Sequence, residues 1–154
     1  DVVLIRKRMR VLAVMIFLLF VGCKPTKTNV NNHQNNAITV IQYEASARNF
    51  VLKVKVENQV LFVSRARDVK DYQEKITVSY ADWKEIVALI KAVDLAKVKE
   101  FKGPTEKRFY DGAPHANITF ISEGIAYTTK GFDHEFPPVE VEKLVTKILK
   151  LTEK

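Results

Sequence analysis

Four side chains able to move protons or hold a cation fall in or beside two loops that contain glycine and proline: Asp111 in the loop from Lys102 to Pro114 with His115 directly after it, and Asp133 and His134 in the loop from Gly131 to Pro137. Imidazole titrates near neutrality, and a neighbouring carboxylate orients its ring, so this set suits either acid–base work or a divalent ion. A metal needs three or four such groups converging at roughly 2.0–2.2 Å. Spacing along a chain does not show convergence, so the metal stays unassigned. The same residues also have a structural reading: Asp111 and Gly112 make a turn, Asp133 hydrogen-bonds its loop, and the histidines pair with the acids. Beside Asp111, the run Arg108, Phe109, Tyr110 offers a cationic and aromatic contact to a glycan or protein. Its structural reading has Phe109 and Phe132 plugging the open end of the core.

Other reaction classes lack their parts. The chain has no Gly-x-Ser-x-Gly, no glycine-rich phosphate loop and no His-Glu-x-x-His. No cofactor is expected. Cys23 is the only cysteine, which rules out an internal disulfide and a cysteine-rich metal site. Residues 1–22 hold four of the 25 basic residues and one of the 18 acidic ones, so the remainder carries a formal charge of +4. Its lysines are interspersed with acids, as in Lys97, Lys99, Glu100, Lys102. This is a solvated surface, not the clustered basic face of a nucleic-acid binder.

The elements that must position the loops can be read from periodicity. Val40, Ile41 and Tyr43 suggest a short first strand. Leu52, Val54 and Val56 alternate with Lys53, Lys55 and Glu57, the period of a half-buried strand. A two-residue turn at Asn58-Gln59 then pairs Glu57 with Val60, Val56 with Leu61 and Val54 with Val63. A polar loop from Arg67 to Glu74 leads to a further strand near Lys75 to Ser79. Ser79 with Asp82 forms a capping pattern ahead of Trp83, Ile86, Val87, Ile90 and Val93, which recur at helical spacing. A second hairpin turns at Glu123-Gly124, pairing Ser122 with Ile125 and Phe120 with Tyr127 and continuing to His115 opposite Phe132. That register makes neighbours of Asp111, His115, Asp133 and His134. Pro138 suits the first position of a last helix, whose buried stripe is Val141, Leu144, Val145, Ile148 and Leu151. The expected fold is a two-layer α+β domain, β-β-β-β-α-β-β-α, with an antiparallel sheet of about six strands and both helices on one face.

The N-terminal region reads as an address. Basic residues precede an apolar run from Val11 to Val21, then Gly22 and Cys23. That order is the charged, apolar and cleavage regions of a signal peptide, with Met9 as the natural initiator. Eleven apolar residues span about 16 Å as a helix, too short for a hydrocarbon core of about 30 Å. The segment Phe20-Val21-Gly22-Cys23 resembles the lipobox of bacterial lipoproteins, with Phe20 in the place usually held by Leu. The resemblance implies that Cys23 is acylated and becomes the mature N-terminus. Residues 24–36, with Pro25 and five asparagines, are too polar to bury a core and read as a flexible tether. The expected organisation is 1–22 upstream extension and signal peptide, 23–36 lipidated cysteine and tether, and 37–154 one folded domain.

The segments Arg108-Phe-Tyr-Asp-Gly-Ala-Pro-His115 and Gly131-Phe-Asp-His134 are similar to those of small uncharacterised lipoproteins of the Bacteroidota, which implies that the two loops belong together. The tether has no acidic cluster after Cys23, such as marks many surface-exported lipoproteins of that phylum. The implied place is therefore the outer membrane, facing the periplasm. The resulting expectation is a non-enzymatic envelope lipoprotein that meets the membrane through its lipid and binds an envelope protein, glycan or small ligand. The rival is a small metal-binding protein or hydrolase using Asp111, His115, Asp133 and His134.

Overall fold

Alternation of apolar and polar side chains builds the sheet. In the computed structural model, which describes residues 37–67 and 71–153, β1 (Ile38–Ala47) buries Ile41, Tyr43 and Ala45 and turns Gln42, Glu44 and Ser46 to the other face. β2 (Phe50–Glu57) buries Leu52, Val54 and Val56, and β3 (Val60–Ser64) buries Leu61 and Val63. A period of two puts each apolar set on a single face. The β2–β3 register is the expected one, with Glu57 opposite Val60, Val56 opposite Leu61 and Val54 opposite Val63. Asn58 and Gln59 turn the hairpin with φ of 49° and 65°, the hand that matches strand twist. Gln59 is held in this unfavourable region by two bonds to Val78: its side-chain amide donates to the Val78 carbonyl at 2.8 Å, and its carbonyl accepts the Val78 N–H at 3.0 Å.

The remaining strands are β4 (Glu74–Thr77), β5 (His115–Ser122), β6 (Ile125–Thr128) and β7 (Phe132–Asp133). The sheet runs β4-β3-β2-β1-β5-β6, with β7 also on β5, and every pairing is antiparallel. The first strand is not short. It has 10 residues and lies mid-sheet, joining the two hairpins, because Tyr43 and Ala45 continue the inward alternation past its polar outer residues. Ile38 pairs with Ser122 and Val40 with Glu57, so the chain enters β1 at the end of the sheet that carries the Asn58-Gln59 and Glu123-Gly124 turns. His115 and β7 lie at the opposite end.

Two helices cover the inward face. Ser79 caps α1 (Tyr80–Lys91), its hydroxyl oxygen accepting the Asp82 N–H at 3.1 Å, and Ile86 is fully buried. α2 (Glu142–Thr152) buries Leu144, Val145, Ile148 and Leu151, with Val141 just ahead of it. The helix begins later than Pro138. Residues 138–141 form a separate turn, closed by the Val141 N–H on the Pro138 carbonyl at 3.0 Å, because Val141 is anchored in the core at 1% exposure. Lys147 joins the helices, binding Asp82 at 2.8 Å and also Glu85. Short 3-10 turns at Leu95–Glu100 and Lys107–Phe109 complete a two-layer α+β domain. The readings for residues 1–36, Cys23 included, lie outside the described residues. Among the described residues no helix is long and apolar enough to cross a membrane.

Candidate functional site

Asp133 organises the loop end of the domain. Its carboxylate accepts the Thr105 hydroxyl, the main-chain N–H groups of Lys107 at 2.7 Å and Arg108 at 3.0 Å, and Arg108 Nη1 at 3.1 Å. Two of these donors are the first N–H groups of the 3-10 turn, whose own N-cap residue, Glu106, makes no side-chain cap bond. Asp133 therefore caps that turn from 25 residues away in sequence. The Asp133 side chain is fully buried and that of Arg108 is 9% exposed. Burial alone would raise the carboxyl pKa. The donors outweigh it and hold the group at about 2. Arg108 Nη1 also donates to the Thr105 carbonyl at 3.0 Å, while Arg108 Nε is buried without a partner among the described residues, a cost the network must exceed.

The expected register fails by one residue. Thr119 faces Thr128, as expected, but His115 faces Asp133 and Ala116 faces Phe132. One extra residue is therefore taken up on the returning strand between Thr128 and Phe132. The reason is burial: opposite His115, Phe132 would stand on the outer face, whereas opposite Ala116 it enters the core, where it is fully buried. Gly103 lies against it so closely that a Cβ there would fall 2.7 Å from Phe132 Cβ and 2.9 Å from the Phe136 carbonyl.

The four sequence candidates consequently separate. His134 faces the core layer, its Nδ1 2.6 Å from the Tyr43 hydroxyl and its ring 5.1 Å from that of Phe50. Burial pushes the imidazole down, with Glu135 opposing, and burial also pushes the Tyr43 phenol up. A neutral Nδ1 accepting the phenol proton fits both directions. His115 is exposed on the outer face, leaning over Gly131, where its Nε2 occupies the space of an added Cβ. Asp111 is exposed in the turn with Gly112. The two imidazoles thus lie on opposite faces of the sheet, and Asp133 serves Arg108 and not either of them. Among the described residues no three His, Cys, Asp or Glu side chains come together in a way that could hold a metal ion.

Because the folded-state pKa of His134 lies below its ordinary 6.5, the unfolded chain binds more protons around that pH. The contribution is complete above pH 6.5 or so and is lost as pH falls through it. His134→Gln should flatten this part of the profile in denaturant titrations between about pH 7 and 5. An unchanged slope would assign it to another group.

Two further features were not legible as site residues. On the outer face, Glu44, Ser46, Lys53, Arg67, His115 and Asn117 border a shallow depression of about 300 Å³. Beside α2, His134, Pro137, Val145, Leu149 and Lys150 line a second of about 420 Å³. Tyr43 and Thr105, which fix His134 and Asp133, were also missed. The only available signal was that a tyrosine on a core-facing position needs a partner for its hydroxyl. Phe109 does not plug the core. It is 69% exposed and Tyr110 76%, with the Arg108 guanidinium 4.3 Å from the Phe109 ring centre. Compared with known protein families, curated proteins and solved structures, the chain finds no match.

Proposed function

We propose that this chain is a lipid-anchored protein of the bacterial envelope that acts by binding, through the loop end of its domain, an envelope protein or glycan. The supporting observation is the loop held by Asp133. A buried carboxylate with four donors fixes a turn whose next two side chains, Phe109 and Tyr110, stay in solvent. Val139, in the turn at residues 138–141, is also exposed, at 78%. Large exposed aromatics beside a guanidinium suit a contact surface, where such residues carry most of the affinity. The lipid anchor rests on the segment Phe20-Val21-Gly22-Cys23, with the outer membrane, facing the periplasm, as its place. The chain enters β1 at the far end of the sheet from these loops.

The test is a photoreactive side chain at Tyr110 in the full chain, compared with the same group at Thr77, exposed on β4 opposite Val60 at the other end of the sheet. A discrete envelope adduct from position 110 only, reduced at least tenfold by Phe109→Ala, supports the reading. Phe109→Ala should shift stability by no more than about 0.5 kcal/mol, as for other surface changes. Equal adducts from both positions, or none, would discard it.

A further inference from the structure

The two margins of the sheet differ in chemistry. β4 carries Glu74 and Lys75, and Glu74 pairs with Arg65. β6, Ile125–Thr128, has no charged side chain, and Ile125, Ala126 and Thr128 are exposed. In an antiparallel ladder, successive residues turn their main-chain groups alternately toward and away from the neighbour. The Thr129 N–H donates to the Ile118 carbonyl at 3.0 Å, so residues 125, 127 and 129 face β5. The N–H and C=O of Ala126 and Thr128 therefore point out of the sheet, with β5 as the only strand paired to β6 among the described residues. The 3-10 turn Leu95–Glu100 also packs against β6 but leaves Ala126 and Thr128 exposed, and a margin exposed in this way is a template for another strand.

We propose that β6 pairs antiparallel with β6 of a second copy of this chain, about a two-fold axis at Tyr127. Ala126 of each copy then faces Thr128 of the other, and the two sheets become one. The charges at the ends of the strand select this partner. Glu123 precedes β6 and Lys130 follows it, both are exposed, and neither has an ion pair among the described residues. The two-fold brings each Lys130 opposite Gly124 of the other copy, beside its Glu123, at both ends of the seam. Between them only uncharged side chains meet, so no like charges oppose one another. An isologous contact of this kind closes at two copies. The pairing uses the β6 margin of the sheet and not the turn that Asp133 caps, and it stands whether or not that loop binds a partner.

The seam can be read with cysteine. Tyr127 faces itself at a non-hydrogen-bonded position, where Cα atoms lie about 4.5 Å apart, within disulfide reach of about 4.4–6.8 Å. In the full-length protein, Tyr127→Cys should give a reducible dimer well above the wild-type background that Cys23 sets, and Thr128→Cys should not. Adding Ala126→Pro, which removes an outward N–H without touching the β5 ladder, should return the dimer to background. Because Tyr127 packs partly on the core, sedimentation of the otherwise native chain provides a second measurement: a dimer, converted to monomer by Ala126→Pro alone. A native monomer with no excess disulfide overturns the proposal. So does a dimer that Ala126→Pro leaves intact, and stronger crosslinking at position 128 than at 127 overturns the stated axis.

Discussion

Replacing Asp133 with alanine is expected to cost about 3–5 kcal/mol, the range for removing one partner of a buried ion pair. The cost arises because Arg108, 9% exposed, keeps its charge with no anion beside it, and because the Lys107 and Arg108 N–H groups lose their acceptor. Adding Arg108→Met should recover part of the loss, since the double variant no longer buries a lone charge. Acid should reproduce the effect. The group titrates at about 2 when folded and near 3.8 otherwise, so the folded state binds fewer protons between these values. Its stabilising contribution is complete above roughly pH 4 and disappears as pH falls toward 2. Denaturant titrations of the wild type and Asp133→Asn across that interval measure it. A loss below about 1 kcal/mol for the alanine variant would show that the network is not worth its buried charges.

The second large effect concerns the address. Cys23→Ser should abolish incorporation of labelled fatty acid completely and release the protein from the membrane fraction, because no other thiol exists in the chain. Each buried methylene contributes about 0.8 kcal/mol, and more than one acyl chain is needed for stable attachment, so no intermediate state of attachment is expected. A serine variant that stays with membranes, beside a wild type that takes up no label, would end the lipoprotein reading.

The sheet was largely legible because its signals are local. A period of two with a two-residue turn set every partner from Glu57–Val60 to Val54–Val63, and Ser79 with Asp82 announced α1. The loop end was not legible because its determinants are distant. Thr105 and Asp133 lie 28 residues apart, and no spacing rule connects them. A single extra residue on the strand returning along β5 then moved Asp133 opposite His115 and placed Phe132 in the core. The competing demands of His115 and Phe132 for opposite faces were visible in the sequence, but an unbroken alternation left no place for the insertion. His134 went inward for the same kind of reason. Its ring found Phe50 and the Tyr43 hydroxyl, which share no pattern with it along the chain.

The mid-sheet position of β1 has a mechanical consequence. Its ladder with β2 runs from Val40 to Ala47, and its ladder with β5 from Ile38 to Ser46. Antiparallel hydrogen bonds lie perpendicular to the strands. Tension entering at Ile38 along the strand therefore loads both ladders in shear, so that many bonds must yield together. Peeled from a margin, the same strand would surrender them one at a time. Held from that end and pulled from its loops, this domain should resist as a clasp does and not open as a zip.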